Sequence, residues 1–177
     1  MTSGRSVRLR EAASTLDDDA IVDLNIEYLN WVYAQLADEY GLEKLSVDVG
    51  EVREMLSKFR RPEGAAFLAE VDDEPVGTVG VRTLSDGVVE IKRMYVRPAW
   101  RGAHVGSALL DCALREASSR GAAKVQLDTV RFMTDAQRLY RSRGFLECPP
   151  YDGTEIPPDV QMHWLFFEKD LMPEGGR

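Results

Sequence analysis

The sequence is poor in cysteine, carries fewer positive than negative charges and has no long hydrophobic run. Its two cysteines, Cys112 and Cys148, are too few for a disulfide framework or a zinc site. Nowhere do about eighteen apolar residues follow one another, as a membrane-spanning helix requires. The first residues also lack an apolar stretch of signal-peptide length. The sequence therefore predicts a cytoplasmic protein that does not bind membranes.

The charge balance bears on the class of partner. Lysine and arginine number 22 against 30 aspartate and glutamate residues, which gives a formal net charge of -8. Nucleic-acid binding without base specificity rests on neutralising phosphates, so we expect no nucleic-acid partner. A partner that carries an amine would be steered slightly better towards such a chain. A length of 177 residues, with 44% hydrophobic residues, is typical of one globular domain with a single core.

The distribution of apolar residues predicts one α/β domain over 1–177, without a linker or an internal repeat. A short strand in SVRLREA comes first, because Val7 and Leu9 alternate with charged residues. A helical pair over 15–61 follows, with apolar residues recurring at helical spacing in both helices. Pro62 ends the second helix because a proline cannot donate the next helical hydrogen bond.

The rest of the chain is predicted to form a sheet and two further helices. Three β-rich runs, AAFLAEVDD, EPVGTVGVRTL and VVEIKRMYV, are separated by short polar segments that suit tight turns, which predicts an antiparallel meander. A helix over about 105–120, a strand in AKVQLDT and a helix in TDAQRLYRSRG complete a core at 66–146. A loop rich in proline and a last strand in MHWLFFEKDL occupy 147–171.

The stretch YVRPAWRGAHVGSALL leads from the third β-rich run into the long helix through a tight turn. Arg101 and Gly102 supply the turn, and Gly106 would let a ligand approach the backbone closely. The first N–H groups of a helix have no partner within it, so this end favours an anion such as a pyrophosphate. The stretch matches neither a Walker A loop nor the Gly-x-Gly-x-x-Gly of dinucleotide folds. An ordinary strand-to-helix turn is the alternative interpretation.

Three motifs in order make the chain resemble the GCN5-related N-acetyltransferase (GNAT) family over about 7–171. The family carries Arg/Gln-x-x-Gly-x-Gly/Ala at the start of the helix after its fourth strand. Here that motif runs from Arg101 to Gly106, with His104 in place of its first glycine, which predicts a negative φ and a slightly different loop. The family's Ala-x-x-Leu-Tyr-x-x-x-Gly-Phe matches AQRLYRSRGF, and VVEIKRMYV resembles its fourth strand, with Glu90 where many members place a carboxylate.

The resemblance implies a mixed, mostly antiparallel sheet of about six to seven strands, flanked by helices and splayed between the fourth and fifth strands. It also implies acetyl-CoA as co-substrate. Pantetheine would lie in the gap and pair with the backbone of Met94, Tyr95 and Val96. Main-chain N–H groups would hold the pyrophosphate, with the Arg101 side chain as a charged supplement. The residues implied in this second role are Arg101, Gly102, Ala103, His104, Val105, Gly106 and Ser107.

Acetyl transfer to an amine needs a base and an acid, and the resemblance supplies a candidate for each. The amine attacks as its free base, and the departing thiolate leaves better when it is protonated. Tyr140 is the candidate acid and Glu90, acting through a water, the candidate base, while a backbone N–H near Met94 would polarise the carbonyl. The structural alternatives are a core side chain for Tyr140 and a cross-strand partner of Lys92 for Glu90. His104 is interpreted as a loop residue.

In the family the first two helices and the loop before the last strand shape the acceptor pocket, and the resemblance implies the same here. The candidates for lining it, or for plain helix packing, are Tyr28, Trp31, Phe59, Arg60 and Tyr151. Asp128 and Thr129 end the fifth strand beside it, where they either contact the acceptor or cap the strand.

Three functions fit these features. The first is transfer of an acetyl group from acetyl-CoA to a primary amine of a small molecule or amino acid, by direct attack in a ternary complex. The second is acetylation of a protein lysine or N-terminus. The third is a non-catalytic acyl-CoA sensor. Met133 favours it, because the family often has an asparagine at this position. The presence of both candidate catalytic residues, Tyr140 and Glu90, argues against it. We also expect a homodimer, because the apolar last strand could form a sheet edge shared with a second copy.

Overall fold

The structure, a computed structural model, describes residues 6–43 and 45–171. Its strands are β1 (Arg8–Glu11), β2 (Gly64–Val71), β3 (Glu74–Ser85), β4 (Val88–Val96), β5 (Lys124–Val130), β6 (Leu146–Cys148) and β7 (Trp164–Asp170). Its α-helices are α1 (Thr15–Tyr40), α2 (Val49–Met55), α3 (Val105–Ser119) and α4 (Thr134–Ser142). Apart from β6, these elements follow the predicted order, and the hairpin turns fall at the predicted polar segments.

The strands form one sheet in the order β1-β2-β3-β4-β5-β7-β6. Every neighbouring pair is antiparallel except β4 and β5, which run parallel. The predicted mixed, mostly antiparallel sheet of six to seven strands is therefore confirmed, and the central meander is β2-β3-β4. None of the helices in the described ranges combines the length and the apolar character needed to cross a membrane.

Two apolar cores cover the two faces of the sheet. On one face α3 buries Leu109, Leu110 and Ala113 against the central strands. On the other face α1 and the turn after α2 bury residues such as Leu24 and Phe59 against β2. Because both faces are covered, all eight residues of β2 are buried and its sequence lacks a polar alternation.

The parallel pair β4–β5 is short. Only Val88, Val89 and Glu90 of β4 are paired with β5, opposite Lys124–Gln126. From Ile91 onwards the two strands part, so the predicted splay between the fourth and fifth strands is confirmed. The remainder of β4 keeps its pairing with β3 on the other side.

A bulge interrupts β4 beside this gap. Lys92 pairs with Gly80 and Tyr95 with Thr78, so two residues of β4, Arg93 and Met94, stand opposite one residue of β3. Arg93 adopts a φ of 55°, in the left-handed region that non-glycine residues seldom occupy. A bulge of this kind redirects the side chains that follow it. It has no signal in the sequence, because VVEIKRMYV contains no glycine or other turn residue.

The last strand is not a sheet edge, and the prediction that it is one was wrong. β7 lies between β5 and β6 and pairs with both. The strand β6 comprises only Leu146–Cys148 and was missed, because three residues are too few to show an alternation. A homodimer stays a prediction, but β7 does not supply an open edge for it.

The N-terminus of α1 is fixed by a capping box. Ser14 accepts a hydrogen bond from the Asp17 N–H, and the Asp17 carboxylate accepts one from the Ser14 N–H. Arg10 of β1 also contacts Asp17, at 2.6 Å, and holds the pKa of that buried carboxyl well below its usual range. The cap thereby ties α1 to the sheet.

Asp17→Asn should lower the free energy of unfolding by about 1–3 kcal/mol, because a hydrogen-bonded, buried carboxylate is lost. The lowered pKa means that the charged form stabilises the folded chain above about pH 4, and that this stabilisation disappears as the pH falls through the folded-state value. Urea denaturation at several pH values measures both effects. Asp19→Asn, at an exposed carboxylate on the same turn, is the matched control and should change stability by less than about 0.5 kcal/mol. A gap between parent and Asp17→Asn that stays constant down to pH 2 would contradict this account.

Candidate active site

Two cavities meet where β4 and β5 part. The first, here called the loop cleft, has a volume of about 740 Å³ and lies between the end of β4, the turn before α3 and α4. The second, here called the inner cavity, has a volume of about 570 Å³ and lies between α1, β4, β5 and the loop 155–160. The residues that line both are Tyr28, Met94, Met133 and Ala136. The splay of the sheet thus creates one continuous site with two compartments.

The turn before α3 forms one wall of the loop cleft. Gly102 has a φ of 81°, as a tight turn at this position requires. His104 has a φ of 62°, so the expected negative φ at this position was wrong. Histidine is among the residues that tolerate the left-handed region better than most, and His104 can therefore stand at the helix N-cap without a glycine.

The first turn of α3 leaves backbone donors free of helical partners. The first helical hydrogen bond runs from the Ala108 N–H to the His104 carbonyl, 3.0 Å away. The N–H groups of Val105, Gly106 and Ser107 therefore have no acceptor within the helix. They collect at the end of the loop cleft, together with the positive end of the helix dipole.

The structure brings most of the residues predicted for cofactor binding to the loop cleft. Those that line it are Met94, Tyr95, Val96, Arg101, Gly102, His104, Gly106 and Ser107. Ala103 is exposed on the turn, and the side chain of Val105 is buried in the core beneath α3. For Val105 this leaves only the backbone N–H as a group that a ligand could reach.

Arg101 lies across the loop cleft. Its Nε donates a hydrogen bond to the Val96 carbonyl at 3.1 Å, and its guanidinium lies 4.9 Å from the centre of the Trp31 ring. The guanidinium is therefore held over the cleft by β4 and α1, although Arg101 stays exposed to solvent. Trp31, one of the predicted acceptor residues, belongs to this cleft and not to the inner cavity.

Tyr140 lines the inner cavity and is packed from behind. It is 5% exposed, and its ring lies about 6 Å from those of Phe145 and Phe167. Burial raises the pKa of Tyr140, and it raises the pKa of neighbouring Tyr28 to about 12. Both hydroxyls are therefore protonated at neutral pH and can donate a hydrogen bond.

Glu90 is fully buried behind the wall of the inner cavity. Its carboxylate accepts hydrogen bonds from Arg82 at 2.6 Å and from the Tyr151 hydroxyl at 2.8 Å. Lys92, two residues further along β4, lies 3.6 Å from it. Glu90 itself does not line the inner cavity, so it reaches the cavity only through these neighbours.

Asp128 is the carboxylate that connects Glu90 to the inner cavity. It lines the cavity and accepts hydrogen bonds from Lys92 at 2.8 Å and from Tyr151 at 3.3 Å. Tyr151 thus bridges two carboxylates, and burial together with their charges raises its pKa. Tyr151 comes from the proline-rich loop, which explains why the sequence did not show this contact.

The network is balanced in charge. Glu155, on the loop before β7, is hydrogen-bonded by Lys58 at 2.6 Å and by Arg82 at 3.1 Å. Burial acts to raise the pKa of Glu155, but these cations and Lys92 outweigh it and the pKa is lowered. The three cations Lys58, Arg82 and Lys92 face the three carboxylates Glu90, Asp128 and Glu155.

Three of the predicted acceptor residues line neither cavity. Tyr151 reaches the inner cavity only through Asp128, and the other two lie further away. Phe59 is buried in the core under Gly80, where a Cβ would lie 2.6 Å from its ring. Arg60 donates a hydrogen bond to the Ala12 carbonyl at 2.7 Å and pairs with Asp18 at the start of α1. Both positions serve packing, because the turn that follows α2 lies against β2 and β3 and not over the gap. No cluster of metal-ligating side chains occurs in residues 6–43 and 45–171.

Comparison with known proteins identifies the family. The model of the acetyltransferase (GNAT) family matches residues 26–145, which is more than half of the chain. The chain belongs to the GNAT family. An uncharacterised N-acetyltransferase of Schizosaccharomyces pombe is 32% identical over 70% of this chain and 78% of the relative.

Solved GNAT structures share the fold. An acetyltransferase of the GNAT family from Staphylococcus aureus superposes with a TM-score of 0.73 at 17% identity, over 94% of this chain and 100% of that chain. The PaiA N-acetyltransferase of Thermoplasma acidophilum, solved in complex with coenzyme A, gives a TM-score of 0.65 at 19% identity, over 94% and 99%. At these identities the structures show the fold alone. The family shows that this GNAT protein is an acyl-CoA-dependent N-acetyltransferase.

Proposed function

We propose that this GNAT protein transfers an acetyl group from acetyl-CoA to a primary amine of a small molecule or amino acid, by direct attack in a ternary complex. The observation that carries the proposal is the pair of cavities that meet between β4 and β5. One ends at helix N–H groups suited to a phosphate, and the other contains a buried tyrosine and a carboxylate. A cavity of about 570 Å³ matches a small acceptor.

The loop cleft fits the co-substrate. The N–H groups of Val105–Ser107 would hold the pyrophosphate of acetyl-CoA, and β4 beyond Glu90 offers a backbone edge that β5 does not occupy. Gly106 supports this assignment, because neither strain nor packing requires a glycine there. Its φ is not positive, and an added Cβ would meet Leu139 at 3.6 Å, an ordinary contact distance. Close approach of a ligand remains as the reason for the glycine.

Gly106→Val should therefore weaken acetyl-CoA binding while the fold survives. The branched side chain would stand in the path of the pyrophosphate, and we expect the Kd to rise at least tenfold, about 1.4 kcal/mol. Calorimetric titration with acetyl-CoA measures this, and thermal denaturation checks the fold. Gly121→Ala, at a surface turn away from both cavities, is the control and should leave the Kd unchanged. Parent-like affinity in a folded Gly106→Val variant would remove the cofactor assignment.

Tyr140 is proposed as the acid. Acetyl-CoA supplies the thioester, and its sulfur must receive a proton when the acetyl group leaves. Burial raises the pKa of Tyr140, which therefore keeps its proton at neutral pH, and Tyr140 borders the inner cavity, whose wall shares Met94 with the loop cleft. The proton then moves from the Tyr140 hydroxyl to the departing sulfur. A backbone N–H near Met94 is proposed to polarise the carbonyl.

The proposed function is tested by following CoA thiol release with a panel of primary amines. Tyr140→Phe should lower kcat by about ten- to a thousandfold and leave the Kd for acetyl-CoA near the parent value, because the hydroxyl acts in the transition state. Tyr40 stacks on His163 outside both cavities. Tyr40→Phe is therefore the matched control and should behave like the parent. A parent that binds acetyl-CoA but releases no CoA with any amine would instead be a sensor.

The proton of the amine is proposed to leave through Asp128, Tyr151 and Glu90. Asp128, at the cavity wall, takes the proton from the attacking amine, directly or through a water. The Tyr151 hydroxyl accepts that proton while it passes its own to Glu90 Oε1, along contacts of 3.3 and 2.8 Å. Glu90 is then the final base, although it has no contact with the acceptor.

Glu90→Gln and Asp128→Asn should both depress kcat/KM near neutral pH and be partly rescued at alkaline pH, where the amine loses its proton unaided. Tyr151→Phe should show the same rescue, because it interrupts the relay without removing a carboxylate. The measurement is the pH profile of kcat/KM, with melting temperatures as a check on folding. If Asp128→Asn is impaired while Glu90→Gln and Tyr151→Phe show the parent profile, Asp128 is the base without the relay. Three parent-like profiles would refute the relay.

A cytoplasmic location and the absence of nucleic-acid and membrane partners stay predictions.

A further inference from the structure

Four consecutive residues of β4, Ile91 to Met94, line the inner cavity. In a regular strand neighbouring side chains point to opposite faces, so four in succession cannot border one cavity. The bulge and the φ of 55° at Arg93 make this arrangement possible. The strained backbone conformation thus has a definite consequence, since it adds the Arg93 side chain to the cavity wall.

The two cations of this wall are in different situations. Lys92 is neutralised by Asp128 at 2.8 Å and has Glu90 and Glu155 within 4.0 Å. The half-buried guanidinium of Arg93 donates to the sulfur of Met55 at 3.0 Å. Across the described ranges 6–43 and 45–171, no carboxylate forms a salt bridge with it. Within these ranges, Arg93 is therefore a cation of the cavity wall whose charge no salt bridge balances.

The other carboxylates that line the inner cavity do not pair with Arg93. Asp128 and Glu155 are held by Lys92, Lys58 and Arg82, as described above. Glu43 and Asp159 are exposed at the rim. A half-buried guanidinium without a counter-ion is costly to desolvate, and a carboxylate is the group that matches its paired donors.

We propose that Arg93 binds the carboxylate of the acceptor, so that the acceptors are amino acids and related amines that carry a carboxylate. This proposal rests on the proposed function and narrows it. The acceptor would place its amine towards Asp128, a hydrogen-bond acceptor, and its carboxylate towards Arg93, a donor of two parallel hydrogen bonds. The apolar part of the wall, from residues such as Leu29, Val32 and Trp164, would take the side chain.

The test compares each standard amino acid with its α-amide as acceptor. The amide keeps the primary amine and the side chain but loses the negative charge. The quantity to measure is kcat/KM for the acid divided by kcat/KM for the amide, in the parent and in each variant. Comparing the same two acceptors across enzymes cancels the difference in their amine pKa values.

Arg93→Gly is the informative variant, because glycine accepts a φ of 55° without strain and the bulge should persist. We expect the ratio to fall at least tenfold, because kcat/KM should fall far more for the acid than for the amide. Arg93→Lys should retain part of the ratio, since it keeps the charge but not the paired donors. Arg53→Ala, an exposed arginine of α2 outside both cavities, is the control and should leave the ratio at the parent value.

The failures of the two proposals are distinguishable. If parent and Arg93→Gly show the same ratio while amines are acetylated, the carboxylate site is refuted and the proposed function stands. If no acid and no amide is acetylated although acetyl-CoA binds, the small-molecule function is overturned, and this inference with it. If Arg93→Gly keeps the parent melting temperature and its ratio of acid to amide kcat/KM is at least tenfold lower, both proposals are supported.

Discussion

Beyond Glu90 the pairing between β4 and β5 stops, and both cavities depend on that interruption. A sheet that stayed paired would use the backbone groups of β4 internally and leave no space between the strands. The helices α3 and α4 follow β4 and β5 directly, so their first turns border the same opening. One constraint on strand pairing thus supplies the loop cleft, the inner cavity and the backbone donors of the α3 N-terminus.

The buried charges stabilise the point at which the strands part. Glu90 is the last residue of β4 paired with β5, and its carboxylate is held by Arg82 from β3 and by Tyr151 from the loop before β7. A lone carboxylate there would be strongly disfavoured, so its neighbours must remain in place. The same contacts lead from Glu90 to Asp128 at the cavity wall. A structural network and a proton path are therefore compatible uses of one set of side chains.

The bulge at Arg93 adds the second specific feature of the site. It places on the cavity wall a cation that forms no salt bridge within residues 6–43 and 45–171, whereas the cation beside it, Lys92, is paired with Asp128. A left-handed φ at an arginine is unfavourable, and it persists because the ladder with β3 holds both sides of the bulge. Under the two proposals, the chemistry of acyl transfer and the choice of acceptor belong to different parts of β4. Glu90 lies on the paired side of the parting point, and Arg93 lies beyond it.

The sequence by itself determined the features that depend on local pattern. These are the order of the helices and of every strand but β6, the hairpin turns, the turn at Gly102 and the position of Tyr140 on a helix that Gly-Phe follows. These follow from spacing over a few residues, and the family motifs lie within single elements. Only the tertiary structure decided that β7 lies inside the sheet, that Arg93 enters the cavity and that Tyr151 bridges Glu90 and Asp128. Each of these depends on register or contact between residues far apart in the chain, which no local period encodes.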